Sequence, residues 1–308
     1  MTTFRRPPAP WDPSTAHRFL TDDGAALHVN ATGPADAPVT LVLVHGWTQD
    51  HRTWDGVVER LDPSLRVLRY DLRGHGGSAP AKRGTATIDR LADDLAELIT
   101  ARAPEGPLVL AGHSMGGMTI MKLAERHPEL VRDRVAGVAF VATSSGQMDR
   151  ITLGLPGIAG NGAATFERRL AKMLARQRRD ALPLRPAMVR PGARFLVFGE
   201  HPRRADVDSV TEQLLCAHPA SVAGFQDAIS RHDCRVALAA LRGTPAVVLV
   251  GERDRLCPVA HAKVIADELP HAEFVRYPGA GHMLPQERAA EVATRLRALT
   301  RSASFSSL

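Results

Sequence analysis

Cysteine is scarce in this chain: Cys216, Cys234 and Cys257 are the three in 308 residues. They are too few and too scattered for a disulfide framework or a zinc cluster, which points to free thiols in a reducing, cytoplasmic compartment. Aromatic residues make up 5% of the sequence, too little for a base-stacking platform, and no nucleic-acid motif accompanies them. No apolar run approaches a membrane span. Met1 to Pro13 carry Arg5, Arg6 and several prolines but lack the apolar stretch of a secretory signal, so they read as a loose leader. Lysine is nearly missing, with four against 35 arginines. That skew looks like coding-DNA composition, and the formal charge of +6 therefore does not by itself imply a nucleic-acid partner. Five of those six charges fall between Ser145 and Arg235, a segment read as solvated surface.

What is present is an alternation of short apolar runs with amphipathic helical patterns. Arg18 to Val29, Val39 to Val44, Leu65 to Tyr70, Leu108 to Leu110, Val135 to Val141, Ala246 to Val250 and Glu273 to Tyr277 read as strands. Between them lie helical stripes, the clearest being Ile88, Leu91, Ala92, Leu95, Leu98 and Ile99 behind a capping Thr87. Other helices are expected around Trp54 to Leu61, after Ser114, over Asp233 to Leu241, after Pro258 and over Glu287 to Leu299. The alternation stops from about Ser144 to His232, where amphipathic pieces such as Ala164 to Arg179 are interrupted by Pro156, Pro183, Pro186, Pro191 and Pro202. An insertion between two strands of one sheet is expected to lie on that sheet as a lid. The expected organisation is a flexible leader over 1–16, a core over 17–144 and 233–300, a helical lid over 145–232 and a flexible tail over 301–308.

The chemistry is expected where strands end. Leu108 to Leu110 runs through Gly112-His113-Ser114-Met115-Gly116 into a helix, and such a strand–turn–helix forces the serine into strained backbone angles that need small neighbours. The N-terminus of the following helix offers N–H groups to a developing negative charge. Val39 to Val44 ends in His45-Gly46-Trp47, where a backbone donor is expected: the N–H of Trp47, with that of Met115 as the second. Two further strands end in Gly251-Glu252-Arg253-Asp254 and in Gly279-Ala280-Gly281-His282. Asp71, Arg73 and His75, in the glycine-rich loop after Tyr70, read as loop-locking residues because the loop lacks a P-loop Lys-Ser/Thr. His113 is expected to bond locally, Cys257 to be a buried inert thiol, and Met115, Met118, Met148, Met173 and Met283 to fill core or an apolar acyl site.

These five motifs, in the order Ser, Asp, His, resemble those of the α/β-hydrolase superfamily, and the resemblance spans nearly the whole chain outside leader, lid and tail. It implies an α/β, mostly parallel, doubly wound sheet with the helical lid inserted after the sixth strand. It also implies a Ser114, Asp254, His282 triad with an oxyanion hole at the N–H groups of Trp47 and Met115, using no metal and no organic cofactor. Epoxide hydrolases and haloalkane dehalogenases of this fold have Asp where this chain has Ser114, and proline iminopeptidases usually have Trp where it has Met115. The expected activity is hydrolysis of a carboxylic ester, thioester or lactone of a small, largely apolar substrate through an acyl-enzyme. Carbon–carbon bond hydrolases and cofactor-free perhydrolases share the triad and stay open, as does a binding protein that does not turn its ligand over. No nucleic-acid or membrane partner is expected, oligomeric state is open, and lid residues such as Phe166 and Met173 are expected to select the substrate.

Overall fold

The computed structural model describes residues 17–148 and 184–305. Eight strands form one sheet in the order β1-β2-β4-β3-β5-β6-β7-β8: β1 Arg18–Leu20, β2 Ala26–Thr32, β3 Thr40–Val44, β4 Arg66–Tyr70, β5 Leu108–His113, β6 Val135–Val141, β7 Ala246–Gly251 and β8 Glu273–Tyr277. The β1–β2 and β2–β4 pairs are antiparallel. From β4 through β3, β5, β6 and β7 to β8 all pairing is parallel. The expected mostly parallel sheet with helices inserted after the sixth strand is therefore the observed one.

The helices are α1 Asp55–Val58, α2 Ile88–Arg102, α3 Met115–Arg126, α4 Pro128–Arg134, α5 Pro186–Val197, α6 Arg204–Cys216, α7 Pro219–Ser230, α8 Val259–Glu268, α9 Leu284–Glu287 and α10 Ala289–Phe305. Because strand side chains alternate, each central strand feeds two cores. Val42, Val44, Leu108, Leu110, Val248 and Val250 face one, with the α2 stripe and the α3 residues Met118, Met121 and Leu123. Leu41, Leu43, Val109, Ala111, Val247 and Leu249 face the other, with Val292, Ala293, Leu296 and Leu299 of α10. Thr87 caps α2 as its position predicts, its Oγ1 accepting from Arg90 N at 3.1 Å.

Several boundaries differ from the sequence reading. Arg18 to Val29 is not one strand but a hairpin, closed where Thr21 N donates to Ala25 O at 3.0 Å and Gly24 takes φ +74°. The expected helix over Asp233 to Leu241 is a 3-10 turn from Val236 to Leu241. The last helical stretch is split at Arg288, with φ −135°, into α9 and α10. Residues 301–305, expected in a tail, continue α10. Pro191 lies inside α5 and does not end it. It sits in the second turn, where its missing N–H removes a single bond toward Ala187. The leader 1–16 and the expected helix Ala164 to Arg179, with Phe166 and Met173, lie outside the described residues. Among those described, no helix is long and apolar enough to cross a membrane.

Helices α5 to α7 come between β6 and β7 and dock on the loops at the C-terminal ends of the core strands. Gln213 Oε1 of α6 accepts from Asp50 N at 3.0 Å and from Thr53 Oγ1 at 3.3 Å. In α7, Val222 O accepts from the Trp47 indole N–H at 3.0 Å, and Ser221 Oγ accepts from Ala81 N at 2.9 Å. Phe225, fully buried, packs its ring 5.6 Å from that of His75.

Candidate active site

Ser114 stands between β5 and α3 with φ 52° and ψ −120°, a conformation that costs a non-glycine residue about 1–3 kcal/mol and persists only where its surroundings enforce it. Its N–H donates to Val141 O at 3.0 Å, and its carbonyl accepts from Thr143 Oγ1 at 2.6 Å and Gly117 N at 2.9 Å. The turn closes because its glycines carry no side chain. A Cβ on Gly112 would lie 2.5 Å from the Gly116 carbonyl, and one on Gly116 would lie 2.3 Å from Val44 O. The glycine requirement read from the sequence is thus a requirement for close backbone approach between β3, β5 and α3.

Gly46 packs directly on this elbow, since a Cβ there would be 3.0 Å from Ser114 Cβ. The loop is set by His45, which is fully buried. Leu72 N donates to its Nε2 at 2.9 Å, so the ring proton belongs on Nδ1, which donates to Gly46 O at 2.8 Å. Burial first, and then the neighbouring His75, push the His45 pKa down to about 3, which keeps this ring neutral. The next residues turn back through Thr48 at φ +62°. Among the described residues, no acceptor engages the backbone N–H of Trp47 or of Met115. Both expected oxyanion donors are therefore free on the two segments that flank Ser114.

Asp254 and His282 are brought together across two loops. His282 Nδ1–H donates to Asp254 Oδ2 at 2.9 Å, and both side chains are almost completely buried. The other carboxylate oxygen accepts from Leu256 N at 2.9 Å and Cys257 N at 2.8 Å, which fixes the acid's rotamer. Glu252, the neighbouring acid, instead pairs with Arg276 at 2.7 Å, and Asp233 turns to Arg235 N. His282 Nε2 is the nitrogen left for a reaction partner. Among the described residues no hydrogen bond joins it to Ser114 Oγ. The two residues are linked through His113, whose ring centroid is 4.9 Å from that of His282 and whose Nε2–H donates to His282 O at 2.9 Å. Burial holds the His113 pKa well below the usual imidazole range, so it acts here as a neutral local donor.

The Asp71 loop is a structural lock. Asp71 Oδ1 accepts from His51 N and from His51 Nδ1–H, both at 2.7 Å, and Oδ2 accepts from Gly77 N at 2.8 Å. His28, His51 and Asp71 offer ligand atoms within 4.8 Å of one another, the one such metal-capable group among the described residues. Arg73 is fully buried between Asp94 and Asp23, and His75 Nδ1–H donates to Arg73 O at 3.0 Å. Cys257 is buried with its thiol pKa pushed well up by desolvation. Met115, Met118 and Met283 are buried; Met283 packs with Phe198, Val207 and Val210 of the inserted helical region.

Sequence reasoning missed the support behind the histidine. His282 N and Met283 N both donate to Val197 O, at 2.9 and 3.1 Å, and Arg253 N donates to Ala280 O at 2.8 Å. Ser144 Oγ lies 2.7 Å from His261 Nδ1, a second, partly buried polar pair near Asp254. These contacts join residues far apart in sequence, and no local pattern announces them.

Comparison with known proteins bears on the fold. A family model described as alpha/beta hydrolase fold matches residues 39–289. The pimeloyl-[acyl-carrier protein] methyl ester esterase of Nitrosomonas europaea is 28% identical over 278 residues, covering 84% of this chain and 93% of that protein. The enzyme of the same name from Aromatoleum aromaticum is 30% identical over 248 residues, covering 79% and 90%. Among solved structures, a thermophilic esterase from Thermogutta terrifontis superposes with a TM-score of 0.75 at 28% identity, covering 93% of this chain and 98% of that one.

Proposed function

The chain belongs to the α/β-hydrolase fold family, and from that premise we propose that it is a serine hydrolase of carboxylic esters with Ser114 as nucleophile, His282 as general base and acid, and Asp254 as its orienting carboxylate. The observation that carries this reading is the buried Asp254–His282 hydrogen bond of 2.9 Å at the same sheet edge as a serine held at φ 52°. A serine hydroxyl is a weak nucleophile near neutral pH, so His282 Nε2 takes its proton as Oγ bonds to the ester carbonyl carbon. The carbonyl oxygen becomes an oxyanion held by the N–H groups of Trp47 and Met115; loss of one such donor typically costs about 2.7–4 kcal/mol. Collapse breaks the bond to the alcohol, which leaves with the proton from His282. Water then repeats the sequence on the acyl-enzyme, and no metal or organic cofactor is required by these steps.

The substrate class is a small, largely apolar carboxylic ester, thioester or lactone. The methyl ester esterases and the esterase named above support ester cleavage, and the buried Met115, Met118 and Met283 support an apolar site. The inserted segment, about 145–232, is the substrate-selecting cap in this reading. Three free cysteines support a reducing, cytoplasmic setting. The test is fluorophosphonate labelling together with a chain-length panel of p-nitrophenyl esters, thioesters and lactones on the parent and on Ser114→Ala. The expected result is labelling and turnover in the parent and neither in the folded variant. Labelling that survives in Ser114→Ala, or a parent that turns over nothing in the panel, overturns the reading.

A further inference from the structure

The loop that carries His282 meets the inserted helical region through the bonds of His282 N and Met283 N to Val197 O and, one residue earlier, through the carboxylate of Glu287, which stands at the end of the four-residue helix α9. Its carboxylate accepts from Gly281 N at 3.0 Å through Oε1 and from Gly199 N at 2.8 Å through Oε2. Gly281 immediately precedes His282, and Gly199 follows α5. The two backbones come so close that a Cβ on Gly199 would lie 2.0 Å from Gly279 O and 2.7 Å from Gly281 N. Beside this bridge, Glu200 N donates to Gly279 O at 2.9 Å. Two inward-facing N–H groups thus converge on one half-buried carboxylate, which satisfies both.

We propose that Glu287 is a positioning residue for His282: it fixes the height of the histidine loop by tying Gly281 to Gly199, so that the helical insertion and the base move as a unit. This rests on the reading of His282 as the base. Asp254 sets the ring's rotation through Nδ1, and His113 holds its carbonyl. Glu287 governs the residue before it, where a small change in backbone angle swings the imidazole toward or away from Ser114 Oγ. Displacements of about 1 Å of this kind can cost on the order of a hundredfold in rate.

The electrostatics act in the same direction. The charged groups facing His282 are Asp254 and Glu287, with the neutral His113 ring beside them; the titratable and charged groups facing Glu287 are Arg288 and His282. Nearby, Glu200 is paired with Arg253 at 2.9 Å. Desolvation raises the Glu287 pKa, while its two backbone donors, Arg288 and His282 lower it. As an anion it favours the imidazolium that forms when His282 takes the serine proton. Glu287 also lines a cavity of about 350 Å³ with Glu200, Arg203 and Arg288, which gives solvent a route to it.

The test uses the intact protein with Glu287→Gln and Glu287→Ala. Hydrolysis of p-nitrophenyl acetate is followed across pH, and the His282 imidazole is titrated by NMR, its signals assigned by their loss in His282→Gln. Glu287→Ala leaves both N–H groups without an acceptor, so kcat falls by about tenfold to a hundredfold while KM changes little. Glu287→Gln keeps an acceptor oxygen and recovers part of kcat. With the negative charge gone, the acid limb of kcat/KM and the His282 midpoint both move to lower pH. A folded Glu287→Gln protein with the parent's kcat and an unmoved His282 midpoint overturns the proposal, and this variant decides alone if Glu287→Ala does not fold. The NMR midpoint requires no turnover, so a parent without esterase activity would sink the functional reading, while the midpoint would still show whether Glu287 acts on the His282 imidazole.

Discussion

Asp254 Oδ2 and His282 Nδ1 are 2.9 Å apart, and the acid's other oxygen is fully engaged by Leu256 N and Cys257 N. The imidazole is therefore held in one tautomer, with no hydrogen-bond partner on Nε2 among the described residues. Asp254→Asn preserves size but offers an N–H₂ where an acceptor is needed, which favours the wrong tautomer. Turnover of an activated ester should fall by about 10³–10⁴, with the melting temperature nearly unchanged. Near-parent kcat in this variant would move the acid's role elsewhere.

Arg73 is fully buried and donates to both oxygens of Asp94 at 2.6 Å, and to Asp23 at 2.9 Å. Removing one partner of a buried ion pair strands the other in low dielectric. Arg73→Ala should lower unfolding free energy by about 3–5 kcal/mol, read from urea denaturation. Arg73→Lys should also destabilise, because a single ammonium cannot reproduce the forked contact. A loss below about 1 kcal/mol would mean that the loop after β4 is not held by this pair.

Strand ends and the elbow were legible in the sequence because they are local. Short apolar runs that lead into a glycine-containing turn mark a strand with a tight exit, and this pattern pointed to β3, β5 and β7 with Ser114 and Asp254, and to β8 with the Pro278-Gly279-Ala280-Gly281 turn before His282. The hairpin at Thr21–Ala25 was read through although Asp23-Gly24 marks its turn, because the strand before it is only three residues long. Glu287 was invisible for a different reason. A glutamate at a helix end ordinarily faces water, and nothing local reveals that its carboxylate meets Gly199, 88 positions away. Supporting contacts of this kind exist only once the chain is folded, whereas the residues proposed to react sit on segments whose own sequence dictates their shape.

Acid should weaken the fold through its buried histidines. Burial depresses the pKa of His45 to about 3, and of His75 and His232 to about 4 each, against 6.5 for a free ring. Below about pH 6.5 the unfolded chain binds protons that the folded chain refuses. Stability is then complete above that value and declines as pH falls, levelling off only near the depressed folded values. The slope is about 1.4 kcal/mol per pH unit for each histidine. Urea midpoints should drop steadily between about pH 6.5 and about pH 4.5, and a flat profile would contradict neutral burial of these rings.

The inserted helices should govern which ester is chosen more than how fast it is cleaved, because Ser114, Asp254, His282 and both N–H donors all belong to core segments. The contact that tests this on described residues is Gln213 of α6, buried, whose Oε1 accepts from Asp50 N and Thr53 Oγ1. Gln213→Ala removes that acceptor, leaves two core donors unpaired and should cost about 1–3 kcal/mol of stability. It also loosens α6 where it docks on the loop after β3. KM for long-chain p-nitrophenyl esters should rise severalfold, while kcat for the acetate stays within about threefold of the parent, since the acetate reaches Ser114 without needing the wall that α6 supports. A folded Gln213→Ala protein that lost kcat equally on short and long esters would show that α6 completes the catalytic centre. Choice of substrate and chemistry would then be built into one unit, and the division between cap and core would have to be redrawn.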